Sequence, residues 1–280
     1  MRELVLTLSC PDRPGIVHAV SGFLAERDCN ILDSQQYGSP RTSTFFLRMH
    51  VASPIAAAEL REQFTAVASA FAMDWQLHAS DARPRVLVLV SKQGHCLNDL
   101  LYRWRSGYLP GEIAAVASNH IDLEPLTSSY DVPFHHLPVT AQIREQQEQE
   151  VLALVDSLGV ELVVLARYMQ VLSARVCDAL PGRIINIHHS FLPSFRGGRP
   201  YDQAYEHGVK LIGATAHYVT AQLDEGPIIE QEVARVGHAH EPEQLAAVGR
   251  DLECVALARA VRWHLEHRVL LDGQRTVVFP

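Results

Sequence analysis

The run Val86-Leu87-Val88-Leu89-Val90 is apolar at every position. A strand with one face in water alternates apolar and polar residues, so an unbroken run belongs to a strand covered on both faces. Similar runs recur at 113–117, 162–165 and 184–187, with helical stretches between some of them. That alternation predicts an α/β fold built on a doubly wound, mostly parallel sheet. The polar, proline-containing stretch Ser80-Asp81-Ala82-Arg83-Pro84 comes just before the first run. It sets the expected boundary between a domain of residues 1–80 and one of residues 84–280. Within the second, the Glu-rich stretch 144–150 reads as a solvated helix face, and 239–267 as a long closing helix.

Residues 1–80 read as strand, helix, strand, strand, helix, strand. Leu4-Val5-Leu6-Thr7-Leu8 forms the first strand, and a helix follows Pro14 with Ile16, Val17, Val20, Phe23 and Leu24 on one face. Pro14 suits a first helical turn because its missing N–H would be unpaired there, and Asp12 is placed to cap it. Strands at 31–37 and 44–51 flank the turn Gly38-Ser39-Pro40, then 56–71 reads as a helix and 73–78 as a strand. The βαββαβ order is ferredoxin-like. With Pro11-Asp12-Arg13-Pro14-Gly15 at the first strand–helix junction, it resembles an ACT domain, a small regulatory module. The resemblance implies a homo-oligomer and an amino-acid effector bound where two modules meet, near Asp12, Gly15 and Asn30. A module that serves only assembly is the alternative.

A formal net charge of −8 disfavours a nucleic-acid partner, because phosphate contacts need clustered Lys and Arg. No stretch approaches the ~20 apolar residues that span a bilayer, so no membrane partner is expected. The chain enters a strand at once, without the long apolar core of a signal peptide. Cys10, Cys29, Cys96, Cys177 and Cys254 are scattered and lack a C-x-x-C spacing, which points to a reducing, cytoplasmic setting. The 15 histidines raise the question of zinc. There is no H-E-x-x-H, and the pairs His135-His136 and His188-His189 are adjacent, so on a strand their side chains point apart. No metal site is expected.

The chemistry concentrates in Ile185-Asn186-Ile187-His188-His189-Ser190-Phe191-Leu192-Pro193 and Asp224-Glu225-Gly226-Pro227. Ile184, Ile185 and Ile187 read as a buried strand that ends at the histidines. Strand alternation puts Asn186 and His188 on one face and His189 on the other. An amide donor and a titratable imidazole side by side at a strand end suit carbonyl chemistry. Taken singly, Asn186 could as well cap a turn, and His188 fill a gap in the core.

The N-x-H pair with a later Asp resembles the catalytic triad of the folate-dependent formyltransferase family. The likeness extends over Val164-Leu165-Ala166-Arg167-Tyr168-Met169-Gln170-Val171-Leu172 and His217-Tyr218-Val219, and so over roughly residues 84–280. It implies catalytic roles for Asn186, His188 and Asp224. It also implies a pterin cleft along Met169, Gln170, Val171 and Leu172 and along Val219, Thr220, Ala221, Gln222 and Leu223. From composition alone, Met169, Val171 and Leu172 would be ordinary core. His217 and His189 are expected to support the site; a structural, hydrogen-bonded role for His217 is equally open.

Purine-pathway transferases of this family carry a glycine-rich phosphate turn after their first strand and Pro after the catalytic His. Here the turn is Ser91-Lys92-Gln93-Gly94-His95-Cys96-Leu97-Asn98-Asp99-Leu100, with one glycine, although Lys92 remains as a phosphate partner. The residue after His188 is His189. Both features, and Gly197-Gly198-Arg199-Pro200-Tyr201-Asp202-Gln203-Ala204-Tyr205, resemble the formyltetrahydrofolate deformylases. The expected reaction is hydrolysis of the C–N bond of 10-formyltetrahydrofolate, giving formate and tetrahydrofolate for one-carbon and purine metabolism. The folate is then substrate, with no permanently bound cofactor. The alternatives are formyl transfer to an amine such as glycinamide ribonucleotide, or an amino-acid sensor with an inert catalytic domain.

Overall fold

The computed structural model describes residues 1–140, 142–192 and 200–280, which group into two compact units. The first comprises Met1–Ala82 and Glu266–Pro280, and the second Arg83–Leu265. Pro193, Gly197, Gly198 and Arg199 of the sequence motifs lie outside the described residues.

The first unit starts with β1 (Arg2–Pro11), α1 (Ile16–Ala25), β2 (Asn30–Ser39), β3 (Thr44–Ser53), α2 (Ala57–Ala70) and β4 (Asp74–Ala79). The strands form one antiparallel sheet in the order β2-β3-β1-β4, the ferredoxin-like arrangement. Leu4, Leu6, Leu8 and Cys10 alternate onto its inner face and pack with Leu47, Met49 and Val51 against Val20, Phe23, Leu60 and Phe64 of the helices. Two local expectations fail. Val17 is 39% exposed, because it lies off the stripe of Ile16, Val20, Phe23 and Leu24 that α1 buries. Nor does Asp12 cap α1: Gly15, left-handed at φ 97°, precedes the helix with no side-chain cap, and Asp12 N–H donates to Ser43 O.

The second unit runs β5 (Arg85–Val90), α3 (His95–Arg105), β6 (Glu112–Ser118), α4 (Glu124–Ser128), β7 (Phe134–His136), α5 (Arg144–Ser157) and β8 (Leu162–Leu165). It continues with α6 (Ala174–Ala179), β9 (Ile184–His188), α7 (Pro200–Glu206), β10 (Leu211–Tyr218), β11 (Ile228–Arg235) and α8 (Pro242–Leu265). The sheet order is β11-β10-β9-β8-β5-β6-β7. Strands β5 to β9 pair in parallel, whereas β10 is antiparallel to both β9 and β11. Strand β5 has β6 on one side and β8 on the other, so the winding reverses there, and a crevice opens beyond the carboxyl ends of these strands.

Helix α5 is not simply solvated over 144–150. Gln147 and Glu148 are buried; Gln147 donates to the Tyr168 hydroxyl, and Glu148 accepts from Ser173 N–H and Oγ. The closing helix stops at Leu265, short of the expected 267, and the chain then forms the hairpin of β12 (Val269–Asp272) and β13 (Arg275–Val278). The hairpin segment groups with the first unit, not with residues 84–265. Its ties are polar. The buried Arg48 donates to the carbonyls of Glu266 and His267, and Asp272 accepts from Ser39 and Thr42.

Candidate active site

Strand β9 carries Asn186 and His188, and the antiparallel register sets His217 of β10 directly opposite Asn186. Directly opposed residues share a face and can touch. Asn186 Nδ2 lies 3.2 Å from His217 Nε2, and His217 Nδ1 lies 2.8 Å from Tyr218 O. A carbonyl only accepts, so Nδ1 carries the proton and Nε2 accepts from the Asn186 amide. One Asn186 N–H is thereby used and the amide is oriented with the other N–H free to turn to a ligand. Burial holds the His217 pKa below the usual histidine value, which fits the neutral ring this network requires.

Asp224 reaches the pair from the loop between β10 and β11. Its Oδ1 lies 3.4 Å from His188 Nδ1 and 3.8 Å from His217 Nε2. The hydrogen bond from His188 keeps its carboxyl below the usual carboxylate range, so it is an anion at neutral pH. Asp224 has a left-handed backbone, φ 55°, tolerable for Asp though sparsely populated. Gly226 explains how the loop packs: a Cβ there would sit 1.8 Å from Tyr218 O. Only glycine permits that approach, and Pro227 O then accepts from Tyr218 N–H to close the loop.

His188 Nε2 is buried and makes no hydrogen bond among the described residues. It lines a cavity of about 590 Å³, the size of a small-molecule site, together with Asn186, His189, His217 and Asp224. Residues 169–172 and 219–223 line the same cavity, so the structure brings every residue of the expected cleft together. Met169, Val171 and Leu223 are 60%, 53% and 62% exposed, apolar side chains at the opening rather than core; only Leu172 of the cleft is buried in the core. His189 corrects an expectation: it lines the cavity beside His188, ring centroids 5.2 Å apart, because β9 ends at His188 and strand alternation no longer applies. Burial lowers its pKa to about 4, keeping it neutral. Lys92 is exposed outside the cavity lining, whereas its neighbour Gln93 lines it.

Arg167 and Tyr201 stood in the sequence motifs without a role, and Arg250 and Glu253 carried no reading at all; all four line another wall of the cavity. Glu253 carried a signal, as an acid among the apolar residues that α8 buries. His95, Cys96 and Glu253 place potential metal-ligand atoms within 4.8 Å of one another. That carboxylate is already paired, however, with His95 at 2.7 Å and the Arg167 guanidinium at 3.4 Å. A bound cation would have to break both pairings.

A doubly wound sheet with an amide, an imidazole and a carboxylate gathered at its crevice defines a formyl transferase type of catalytic domain. Residues 84–261 match the formyl transferase family model, and residues 4–69 the ACT domain model. A formyltetrahydrofolate deformylase of Corynebacterium sp. (strain P-1) is 52% identical over 277 residues, covering 98% of this chain and 97% of the relative. The crystal structure of the Burkholderia mallei formyltetrahydrofolate deformylase superposes with a TM-score of 0.96 at 50% identity, covering 100% of both chains. Glycinamide ribonucleotide transformylase 1 of Symbiobacterium toebii reaches a TM-score of 0.67 at 35% identity, over 71% of this chain and 95% of that one. The chain belongs to the formyltetrahydrofolate deformylase family.

Proposed function

We propose that the protein hydrolyses 10-formyltetrahydrofolate to formate and tetrahydrofolate, with Asn186, His188 and Asp224 as its catalytic residues. The observation that carries this is the buried Nε2 of His188, without a hydrogen-bond partner among the described residues, set in one cavity with an oriented Asn186 amide and an ionised Asp224. A buried polar atom without a partner is costly, and a formyl oxygen or a water would supply one.

Attack by water on the formyl carbon turns the carbonyl oxygen into an oxyanion. The free N–H of Asn186 and, with both ring nitrogens protonated, His188 Nε2–H donate to it. One such donor is worth about 3 kcal/mol in comparable sites. Asp224 accepts a proton from the attacking water and passes it to the folate nitrogen as the C–N bond breaks. His189 and His217 support the reacting groups, His217 by fixing the Asn186 amide. Backbone groups of 170–172 and 219–223 suit the amide-like edge of a pterin, and Met169, Val171 and Leu223 offer it an apolar rim. The folate is the substrate, and the steps need only side chains and water.

Residues 1–80 of the first unit we read as a regulatory ACT domain, assembling with its twin in a homo-oligomer. Asp12 and Gly15 in the β1–α1 turn and Asn30 at the start of β2 are exposed, as an effector site between copies requires. A shift in melting temperature or activity with an amino acid would support this, and none across the common amino acids would leave the unit an assembly device.

The test of catalysis is formate release from 10-formyltetrahydrofolate with no amine acceptor. Formate and tetrahydrofolate in equal amounts, abolished in folded Asp224→Ala, are expected. Turnover only when an amine is added would make the protein a transferase.

A further inference from the structure

The cavity wall of Arg167, Tyr201, Arg250 and Glu253 has no part in the steps above, yet it is built with care. Glu253 is 1% exposed, and both of its carboxylate oxygens are occupied. Oε1 accepts from the Tyr201 hydroxyl at 2.9 Å, while Oε2 faces His95 Nε2 at 2.7 Å and Arg167 Nε at 3.4 Å. Arg167 reaches it from a left-handed backbone position, φ 64°, just past β8, and its Nε also donates to Gln93. Strain of this kind persists only where the surroundings hold it.

Tyr201 lines the cavity together with Arg167 and Glu253, and its hydroxyl occupies Oε1 of that carboxylate. It lies against α8 at Gly249, where a Cβ would come within 1.9 Å of its hydroxyl oxygen. Its ring centroid is 6.3 Å from that of His189, which in turn stacks on His188. The tyrosine therefore stands one ring away from the catalytic histidine, in front of a buried carboxylate. A nucleophile approaching His188 from the side of Tyr201 would meet the phenol ring before the two histidine rings. Once exposed, the carboxylate behind it would be a natural partner for an amine.

We infer that Tyr201, seated on Gly249 and bonded to Glu253, is a specificity-determining plug that reserves the formyl group for water by filling the space a primary-amine acceptor would need. The inference rests on the hydrolytic reading of the same cavity. In the uncovered site an amine nitrogen would attack the formyl carbon, form the new C–N bond, lose a proton to Asp224 and release tetrahydrofolate nitrogen as the protonated leaving group. Formate would not form in that branch.

The experiment uses the full-length protein, 10-formyltetrahydrofolate and rising concentrations of glycinamide, with formate and N-formylglycinamide both measured. Wild type and Tyr201→Phe, which keeps the ring, should yield formate with no more than a trace of N-formylglycinamide. Tyr201→Ala should divert product to N-formylglycinamide in a share that rises with amine, on the order of tenfold above wild type. Gly249→Ala is the independent variant: alanine favours the helix, but its methyl group expels the tyrosine and should divert product in the same way. If either folded variant hydrolyses substrate with no more formylated amine than wild type, the plug is refuted. Failure of wild type to release formate would instead refute the hydrolytic reading, and shows before any variant is made.

Discussion

At the scale of single residues, the site depends on how few conformations its groups retain. Asn186 cannot choose its rotamer freely, since His217 accepts one of its N–H groups and Tyr218 O fixes the tautomer of His217. Asn186→Ala should lower kcat by about a hundred- to a thousandfold, the usual loss for one oxyanion donor, with melting temperature nearly unchanged. His217→Ala should lower kcat more than it raises KM, and His217→Gln should recover part of that loss by offering an acceptor again. Steady-state kinetics on both variants would decide, and equal losses in the two would remove His217 from its orienting role. These contacts were only half legible in the sequence. The N-x-H spacing on a strand placed Asn186 and His188 together, but only the register of β9 against β10 brings His217 across to them. His189 was misplaced because where a strand stops is not written in its alternation, and Val17 because its neighbours at helical spacing were equally apolar.

At the scale of elements, α5 shows why the parallel strands were readable and their surroundings less so. The apolar runs at β5, β6, β8 and β9 declare themselves, since strands buried on both faces tolerate little else. The polar stretch of α5 does not reveal that Gln147 and Glu148 turn inward to hold Tyr168 and Ser173, which bracket the cleft segment 169–172. Nor does β11, with mixed burial and a register shift opposite Ala216 and His217, announce itself as a strand. The arrangement predicts that Glu148→Ala loosens 169–172 without touching the reacting groups. KM for the folate should rise several-fold, on the order of 1 kcal/mol of lost ground-state binding, while kcat stays near wild type. A matching fall in kcat would instead tie the helix to the chemistry.

At the scale of the whole molecule, the histidines couple folding to pH. Burial lowers the pKa of His189 and of His264 to about 4, and His217 and His78 are lowered for the same reason. His264, on α8, lies 2.7 Å from the Tyr218 hydroxyl of β10, and burial, with the Arg183 charge, keeps its ring neutral there. Above the ordinary histidine value near 6.5 neither the native nor the unfolded chain protonates these rings, and nothing is lost. Between about 6.5 and 4 the unfolded chain binds protons that native His189 and His264 refuse, so stability falls as pH falls, by up to about 1.4 kcal/mol per pH unit for each of the two, and His217 and His78 act in the same direction. Asp224 and Glu253 act in the next window down. Their carboxyls sit below the usual range in the native state, so their contribution is intact above the unfolded carboxylate values and is lost only as pH falls through the lowered ones. Urea midpoints at pH 7.5 and pH 5 test the histidine step, because the lowered carboxylates remain ionised at both values and the Glu230 carboxyl, raised by burial, acts in the opposite direction. The midpoint of the wild type should fall markedly on acidification, and His264→Gln, which keeps a partner for the Tyr218 hydroxyl but cannot titrate, should fall less. Equal midpoints for the wild type at the two pH values would mean that these rings gain protons in the native state as readily as in the unfolded one, and that their burial is looser than the packing around β10 and α8 indicates.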